Sequence, residues 1–313
     1  MSSAPRHPDG FASQRDRSGT IRTVGVVGAG RVGAVLGAAL AAAGYPVTAV
    51  SARSAASRAR AADLLPGAAV VAPRAVAAGA DLLVVAVPDD ALAGVAAELS
   101  GTVRPGQVVL HTSGGYGVGV LSPVAARGAR PIALHPAMTF TGRAGDLDRL
   151  RGIGYGVTAP DEVRPLATRL VADLGGVPEW VAEPDRALYH AALAHGANHL
   201  ATLVNEAADR LRDAGVRDPQ RLLAPLLAAA LDNALTLGDA ALTGPVVRGD
   251  AGTVARHLTA LERAAPESVT AYRALARRTA DRALAARQVP PRLAEALLEA
   301  LAEPAPDRVP DTA

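Results

Sequence analysis

Three of the seven histidines fall in one short, otherwise small and apolar run, YHAALAHGANHLATL, residues 189–203, which carries His190, His195, His199 and Asn198. An imidazole titrates near pH 6.5, so it can give or take a proton at neutrality. The chain has no Lys and no Cys, which removes the ammonium and thiol alternatives and leaves histidine as the natural proton donor. On a regular helix His195 lies three before Asn198 and four before His199, and these form one tight patch. His190 and Asn198, eight apart, differ by about 80° and about 12 Å, so they could flank an elongated molecule without touching each other. The alternative for each imidazole is a buried or interface ring bonded to a carbonyl. No carboxylate follows His195 and His199 in the HExxH order, so no metal site is expected.

A second constellation lies near the start. Gly28-x-Gly30-x-x-Gly33 follows an apolar strand-like run and opens an Ala-rich helix, inside TVGVVGAGRVGAVLGAALAAAGYPVTAVSAR. In that context the first glycine permits a tight turn, the second lets backbone approach a pyrophosphate, and the third packs helix on strand. Gly28, Ala29, Gly30, Arg31, Val32 and Gly33 are therefore the expected cofactor-binding segment, the bland alternative being a turn with no ligand. At the end of the second strand an NAD site usually places an acid. Here that position reads Ser51-Ala52-Arg53-Ser54, and the hydroxyls of Ser51 and Ser54 with the Arg53 guanidinium suit a 2′-phosphate, so NADP(H) is the expected cofactor. Arg53, Arg58 and Arg60 are otherwise solvated helix charges. Val87-Pro88-Asp89 and Thr112-Ser113-Gly114 end the next two strands and should line the nicotinamide side, through Val87, Pro88, Thr112 and Ser113.

These groups need elements to position them. DLLVVAVPDDAL, GQVVLHTSG and ARPIALHPAMTF read as buried strands each running into a polar or glycine loop, and GIGYGVTAP and GVPEWVAE as two more strands around a helix from Arg164 to Leu174. That predicts an α/β fold with a doubly wound, mostly parallel sheet over residues 21–182. Alanine and leucine at helical spacing then dominate, with breaks after Asp213 and at GDAALTGPVVRGD, which predicts an all-α domain over 183–302. Residues 1–20 read as a disordered tail and 303–313 as a polar tail. The charges, 32 basic and 30 acidic, give +2 with five Tyr, two Phe and one Trp; that leaves no nucleic-acid stripe and few stacking platforms, so no nucleic-acid partner is expected. Gly33–Ala52 is broken by Gly44-Tyr45-Pro46, so no membrane span is expected, and the chain reads as cytoplasmic. The helical half is apolar all round, which predicts a homodimer through it.

With ALHPAMTFTG, LYHAALAHGANHL and ALTGPVVRGDAGTVARHL, the chain resembles the Rossmann-like proteins that carry a DUF2520 domain, over about residues 20–285. That family is similar to 6-phosphogluconate and β-hydroxyacid dehydrogenases, pyrroline-5-carboxylate reductases and ketopantoate reductases. The resemblance to ketopantoate reductases implies that His190 stands where they carry a catalytic Lys and that Asn198 matches their Asn, with Ala194 replacing an intermediate Asn. It implies that Asp250 stands for their substrate-binding Glu, although Asp250 could simply cap the next helix. The similarity to β-hydroxyacid dehydrogenases implies that His135, Met138, Thr139 and Phe140 lie in a substrate loop. Thr243 and Arg248 complete the expected substrate contacts, Arg248 meeting a substrate carboxylate or only a surface acid. The implied function is an NADPH-dependent reductase of a small 2-oxo acid, with ketopantoate as the leading substrate. The alternatives are an imine reductase of the pyrroline-5-carboxylate type and a non-catalytic NADP-binding protein.

Overall fold

The computed structural model describes residues 21–302; the two expected tails lie outside the described residues. The chain divides into two units between Ala194 and His195.

The first unit begins with the βαβ motif. β1 (Val24–Val27) is fully buried, α1 (Arg31–Ala42) covers it, and β2 (Val47–Ser51) returns parallel to it. Small residues set how closely α1 approaches: Gly37 rests against Val26 and Leu65 side chains, where even a methyl group would sit 3.1–3.2 Å away. Next come α2 (Ala55–Leu64), β3 (Ala69–Val70), α3 (Pro73–Gly79), β4 (Leu82–Val85), α4 (Asp89–Leu99), β5 (Val108–His111), α5 (Ser122–Ala125), β6 (Arg130–Pro136), α6 (Asp146–Arg149), β7 (Gly154–Thr158), α7 (Arg164–Asp173), β8 (Val177–Trp180) and α8 (Arg186–Leu193).

The sheet runs β3-β2-β1-β4-β5-β6-β7-β8, parallel throughout except for the β6–β7 pair. Alternation along each strand sends Val24, Val26, Leu82, Val84 and Leu110 into one core and Val27, Leu83, Val85 and Val109 into another. A sheet buried on both faces needs such continuous apolar strands. The chain reverses direction across the sheet at β1 and β4, and the carboxyl ends of these strands form the crevice where such folds bind ligands.

The second unit holds α9 (His199–Asp213), α10 (Pro219–Leu237), α11 (Ala251–Ala264), α12 (Pro266–Ala285) and α13 (Pro291–Ala300). Val254 and Leu258 of α11, Ala276 and Ala280 of α12 and Leu297 of α13 close its core. α10 packs against α9 but leaves Leu222, Leu226, Leu231 and Leu235 at least half exposed. Among the described residues it is also the one helix long and apolar enough, by length and composition, to cross a membrane.

Two details depart from the sequence expectation. The opening histidine run is not one uninterrupted α-helix: Ala194–Asn198 form a π turn between α8 and α9, so the phase computed for a regular helix does not carry from His190 to Asn198. Gly196, which packs nothing behind its Cα, makes the extra residue easy to accommodate. The division between the units also falls beyond the composition change near residue 183, because α8 is anchored on the sheet by Arg186.

Candidate active site

The glycine loop after β1 has the geometry its spacing requires. Gly28 takes φ +100° and donates its N–H to Ser51 Oγ at 3.0 Å, while a Cβ there would lie 2.4 Å from the Ala86 carbonyl oxygen. A Cβ on Gly33 would lie 2.1 Å from the Gly28 oxygen. Gly30 differs, since a Cβ there would meet nothing closer than 4.0 Å. Its outer side is open. Gly30 is also the N-cap of α1, with no side-chain cap and no acid in the first turn, so the helix N-terminus offers unopposed N–H groups and a positive dipole end to an anion.

Ala29 is buried and Val32 half-buried against the core, so both serve the loop's shape; Arg31 is exposed at the start of α1. Ser51 is buried, with its hydroxyl engaged by Gly28, and the Ser54 hydroxyl caps α2 by accepting from Ser57 N. Of the three expected groups at the end of β2, Ser51 and Ser54 have their hydroxyls engaged within the fold, and Arg53 is exposed. Arg60 joins it: Arg60 Nε donates to the Ala29 carbonyl at 3.3 Å, and its stem crosses Gly142.

At the carboxyl ends of β4, β5 and β6 the structure gathers a second group. Val87 is half-buried, Pro88 is the N-cap of α4, and Asp89 opens that helix. Thr112 and Ser113 lead into Gly114 and Gly115 beside the histidines. A Cβ on Gly114 would sit 2.7 Å from His190 Cδ2 and 3.1 Å from His135 Nε2; one on Gly115 would sit 3.3 Å from His190 Nδ1 and 3.6 Å from Asp89 Oδ2. The His135 and His190 rings pack edge to face with centroids 5.9 Å apart. Glycines after β5 are what let two imidazoles close on this loop.

Four residues that sequence reasoning left unassigned hold this arrangement. His111, the last residue of β5, is fully buried; its Nδ1 accepts from Ser113 N at 3.1 Å, and its Nε2 donates to the Gly117 carbonyl at 2.8 Å. Burial pushes its pKa down to about 4, so it is neutral. Glu183 accepts from Val118 N and Gly119 N at 2.7 and 2.9 Å, tying the same loop to the chain just before α8. Arg186, fully buried, donates to Thr158 Oγ1 and to the Ala133 and Gly156 carbonyls at 2.8–3.1 Å, which seats α8 across β6 and β7. Tyr189 places its hydroxyl 2.9 Å from His135 Nδ1. His135 is itself pushed down to about 4, first by burial and then by His190 and Arg186.

The predicted substrate loop after β6 divides by role. Met138 is half-buried on the core, Thr139 exposed and Phe140 buried within the core, so Phe140 anchors the loop. Buried Asp146 fixes it further, accepting from Thr141 N, Thr141 Oγ1 and Gly142 N at 2.8–2.9 Å.

The remaining expected residues belong to the second unit. His195 and Asn198 lie exposed in the π turn, and His195 Nδ1 is 3.1 Å from His199 Nδ1, so one of these rings donates to the other. Asp250 caps α11 through Thr253 N and Thr253 Oγ1 at 2.9 and 2.7 Å, and these bonds hold its carboxyl below the ordinary range. Arg248 is exposed. Thr243 lines a mostly apolar cavity of about 440 Å³ with Leu203, Leu261, Leu275 and the hydrogen-bonded pair His257 and Tyr272.

Residues 10–136 match the family described as Rossmann-like domain, and residues 153–279 match DUF2520, a domain of unknown function. Among curated protein sequences there is no match. A Bacteroides fragilis protein described as an NADP oxidoreductase superposes with a TM-score of 0.72 at 21% identity, over 84% of this chain and 99% of that one. A Thermotoga maritima protein follows with 0.64 at 19% identity, over 84% and 99%. A Plasmodium falciparum pyrroline carboxylate reductase with NADP bound gives 0.54 at 13% identity, over 84% and 98%. The two matched stretches, a Rossmann-like domain followed by a DUF2520 domain, lie on the fold that these solved proteins share.

Proposed function

We propose that the protein is an NADPH-dependent oxidoreductase that reduces a small 2-oxo acid, 2-dehydropantoate being the best single candidate, with His190 as proton donor. The observation that carries this reading is that His190 of α8 and His135 of β6 close together against Gly114 and Gly115 in the loop after β5, at the edge of the sheet where such folds bind ligands. The open side of Gly30 and the uncapped, acid-free start of α1 fit a pyrophosphate. Gly28 to Gly33 would hold it, Arg53 and Arg60 would meet a 2′-phosphate, and Val87, Pro88, Thr112 and Ser113 would line the nicotinamide. When bound, the nicotinamide supplies a hydride to the substrate carbon.

The chain's own task is the proton and the charge. As negative charge develops on the substrate oxygen, a positioned acid must neutralise it. His190 Nδ1 and Asp89 Oδ2 both lie beside Gly115, 3.3 and 3.6 Å from where its Cβ would be, and the His190 imidazole is the group that gives its proton in this reading. The solved B. fragilis and P. falciparum proteins, described respectively as an NADP oxidoreductase and as carrying NADP, support the cofactor. The P. falciparum protein's name also favours a second reading, reduction of a cyclic imine, which asks less of the acid because an iminium is already protonated. The exposed leucines of α10 support a homodimer through the second unit, since Pro225, Asp232 and Asn233 interrupt the same helix and suit a protein partner better than lipid.

NADPH oxidation against a panel of 2-oxo acids and cyclic imines tests the proposal. Turnover of 2-dehydropantoate supports the first reading, and turnover of pyrroline-5-carboxylate alone supports the second. NADPH binding with no turnover on the panel would favour a cofactor-binding protein without catalysis.

A further inference from the structure

We propose that the turn after β6, fixed by Asp146, is a wall of the cofactor's 2′-phosphate site: it holds Arg60 against the glycine loop in advance, so that Arg60 is the main residue choosing NADPH over NADH and Asp146 is its positioning residue. The starting point is an unbalanced charge. Arg31 opens α1, Arg53 follows β2, and Arg60 of α2 reaches the Ala29 carbonyl. Among the described residues none of the three forms an ion pair. Guanidinium groups left without acids around an anion-binding loop suit a ligand with a further phosphate.

The three are not equally prepared. Arg53 is exposed, and a ligand would have to order its side chain. Arg60 is half-buried, with Nε donating to the Ala29 carbonyl at 3.3 Å, and its Cδ lies 2.9 Å from where a Cβ on Gly142 would be. Arg31 Cγ and Cα lie 3.1 and 3.2 Å from the same point. Only glycine, here at φ +78°, lets the turn come this close. Asp146 keeps it there. That carboxylate is 1% exposed and accepts from Thr141 N, Gly142 N and Thr141 Oγ1 at 2.8–2.9 Å. Its partners all belong to the turn, so its charge is spent on the turn and not on the arginines. The Arg60 stem is thus held between a braced turn and the glycine loop. Much of its rotamer freedom is given up on folding instead of on binding, and such pre-organisation appears as affinity. With Nε committed, the terminal nitrogens of Arg60, which make no hydrogen bond among the described residues, are what it offers to a phosphate. Arg60 would touch the cofactor; Asp146 acts through it.

This inference rests on the NADPH reading of the site, and its test separates the two. Fluorescence titration of the full chain with NADPH and with NADH, which needs no substrate, is carried out on wild type, Arg60→Met, Arg53→Ala and Asp146→Asn. Arg60→Met keeps a stem beside Gly142 and removes the guanidinium. The ratio of NADPH to NADH affinity should fall about tenfold in Arg60→Met and about three- to tenfold in Asp146→Asn, with NADH affinity within about twofold of wild type in both. Arg53→Ala should lower the ratio less than Arg60→Met. Should Asp146→Asn fail to fold, Thr141→Val removes a single donor to Asp146 and should lower the ratio about two- to threefold. An unchanged ratio in Arg60→Met, a larger effect at Arg53 than at Arg60, or an Asp146→Asn protein that loses both cofactors in equal proportion overturns the proposal. A wild type that binds the two cofactors equally overturns the NADPH reading and this inference with it. A wild-type preference that persists in full in Asp146→Asn, or in Thr141→Val where that variant stands in, overturns this inference alone.

Discussion

Acid should loosen this protein well above the carboxylate range, and His111 should be a main cause. Its ring is fully buried, and both nitrogens are committed, Nδ1 as acceptor from Ser113 N and Nε2 as donor to Gly117. A proton on Nδ1 would break the first bond and leave a charge in the core. Burial accordingly holds the folded pKa at about 4 against 6.5 for the unfolded chain. Between those values the unfolded state takes up a proton that the folded state refuses, so the stability present above pH 6.5 falls as the pH drops toward 4. At about 1.4 kcal/mol per pH unit, His111 alone should cost about 2 kcal/mol by pH 5. His135, also at about 4, should add a comparable slope. Asp146, held below the usual carboxylate pKa by its three donors, contributes stability that is lost only below about pH 3.8, outside this window. Urea unfolding at pH 7.5 and pH 5 on wild type and His111→Asn checks the reasoning. The variant should be weaker at pH 7.5 by about 1–3 kcal/mol, since the Gly117 carbonyl loses its donor, yet its loss between the two pH values should be smaller than the wild type's by about 2 kcal/mol. Equal losses in the two proteins would refute the argument.

Three further expectations concern the cofactor loop and the second unit. Gly33→Ala would drive a methyl group to 2.1 Å from the Gly28 oxygen, backbone against which nothing can rotate away, so it should destabilise the fold by about 1–3 kcal/mol in denaturant titration and abolish NADPH binding; a variant of native stability and affinity would contradict the loop geometry. NADPH should bind at least about tenfold more tightly than NADH, and Arg53→Ala should narrow that gap, because a charge-assisted bond to the 2′-phosphate is lost; fluorescence titration showing equal affinities in the wild type would rule this out. Leu226→Glu on the exposed face of α10 should shift a dimer toward monomer in sedimentation velocity at micromolar concentration, whereas a wild type that sediments as a monomer would remove the homodimer.

What the sequence made legible was local. Gly28 and Gly33 could be read because a turn and a helix contact are settled within a few residues, and the capping alternative for Asp250 for the same reason. β3 went unread because two residues, Ala69 and Val70, hold no period. Glu183 and Arg186 could not be read as site residues: their partners lie at Val118, Gly119, Ala133 and Gly156, and only the folded sheet brings those segments together. His111 looked like one polar residue ending an apolar strand, and its role emerged from the Gly117 carbonyl across the loop. The π turn left no mark beyond Gly196, since a single extra residue barely disturbs an Ala-rich pattern. The tie between His190 and His135 was the least accessible, resting as it does on glycines at 114 and 115 that could equally have served a turn.

The most direct test of the central claim is the single-turnover rate of His190→Ala, with NADPH saturating, on the panel substrate that the wild type reduces. If His190 supplies the proton, turnover should fall about 10²- to 10⁴-fold while NADPH affinity stays within about twofold of wild type, because the loop proposed to hold the cofactor runs from Gly28 to Gly33 and not through α8. A His190→Ala enzyme with near-normal turnover would contradict the assignment.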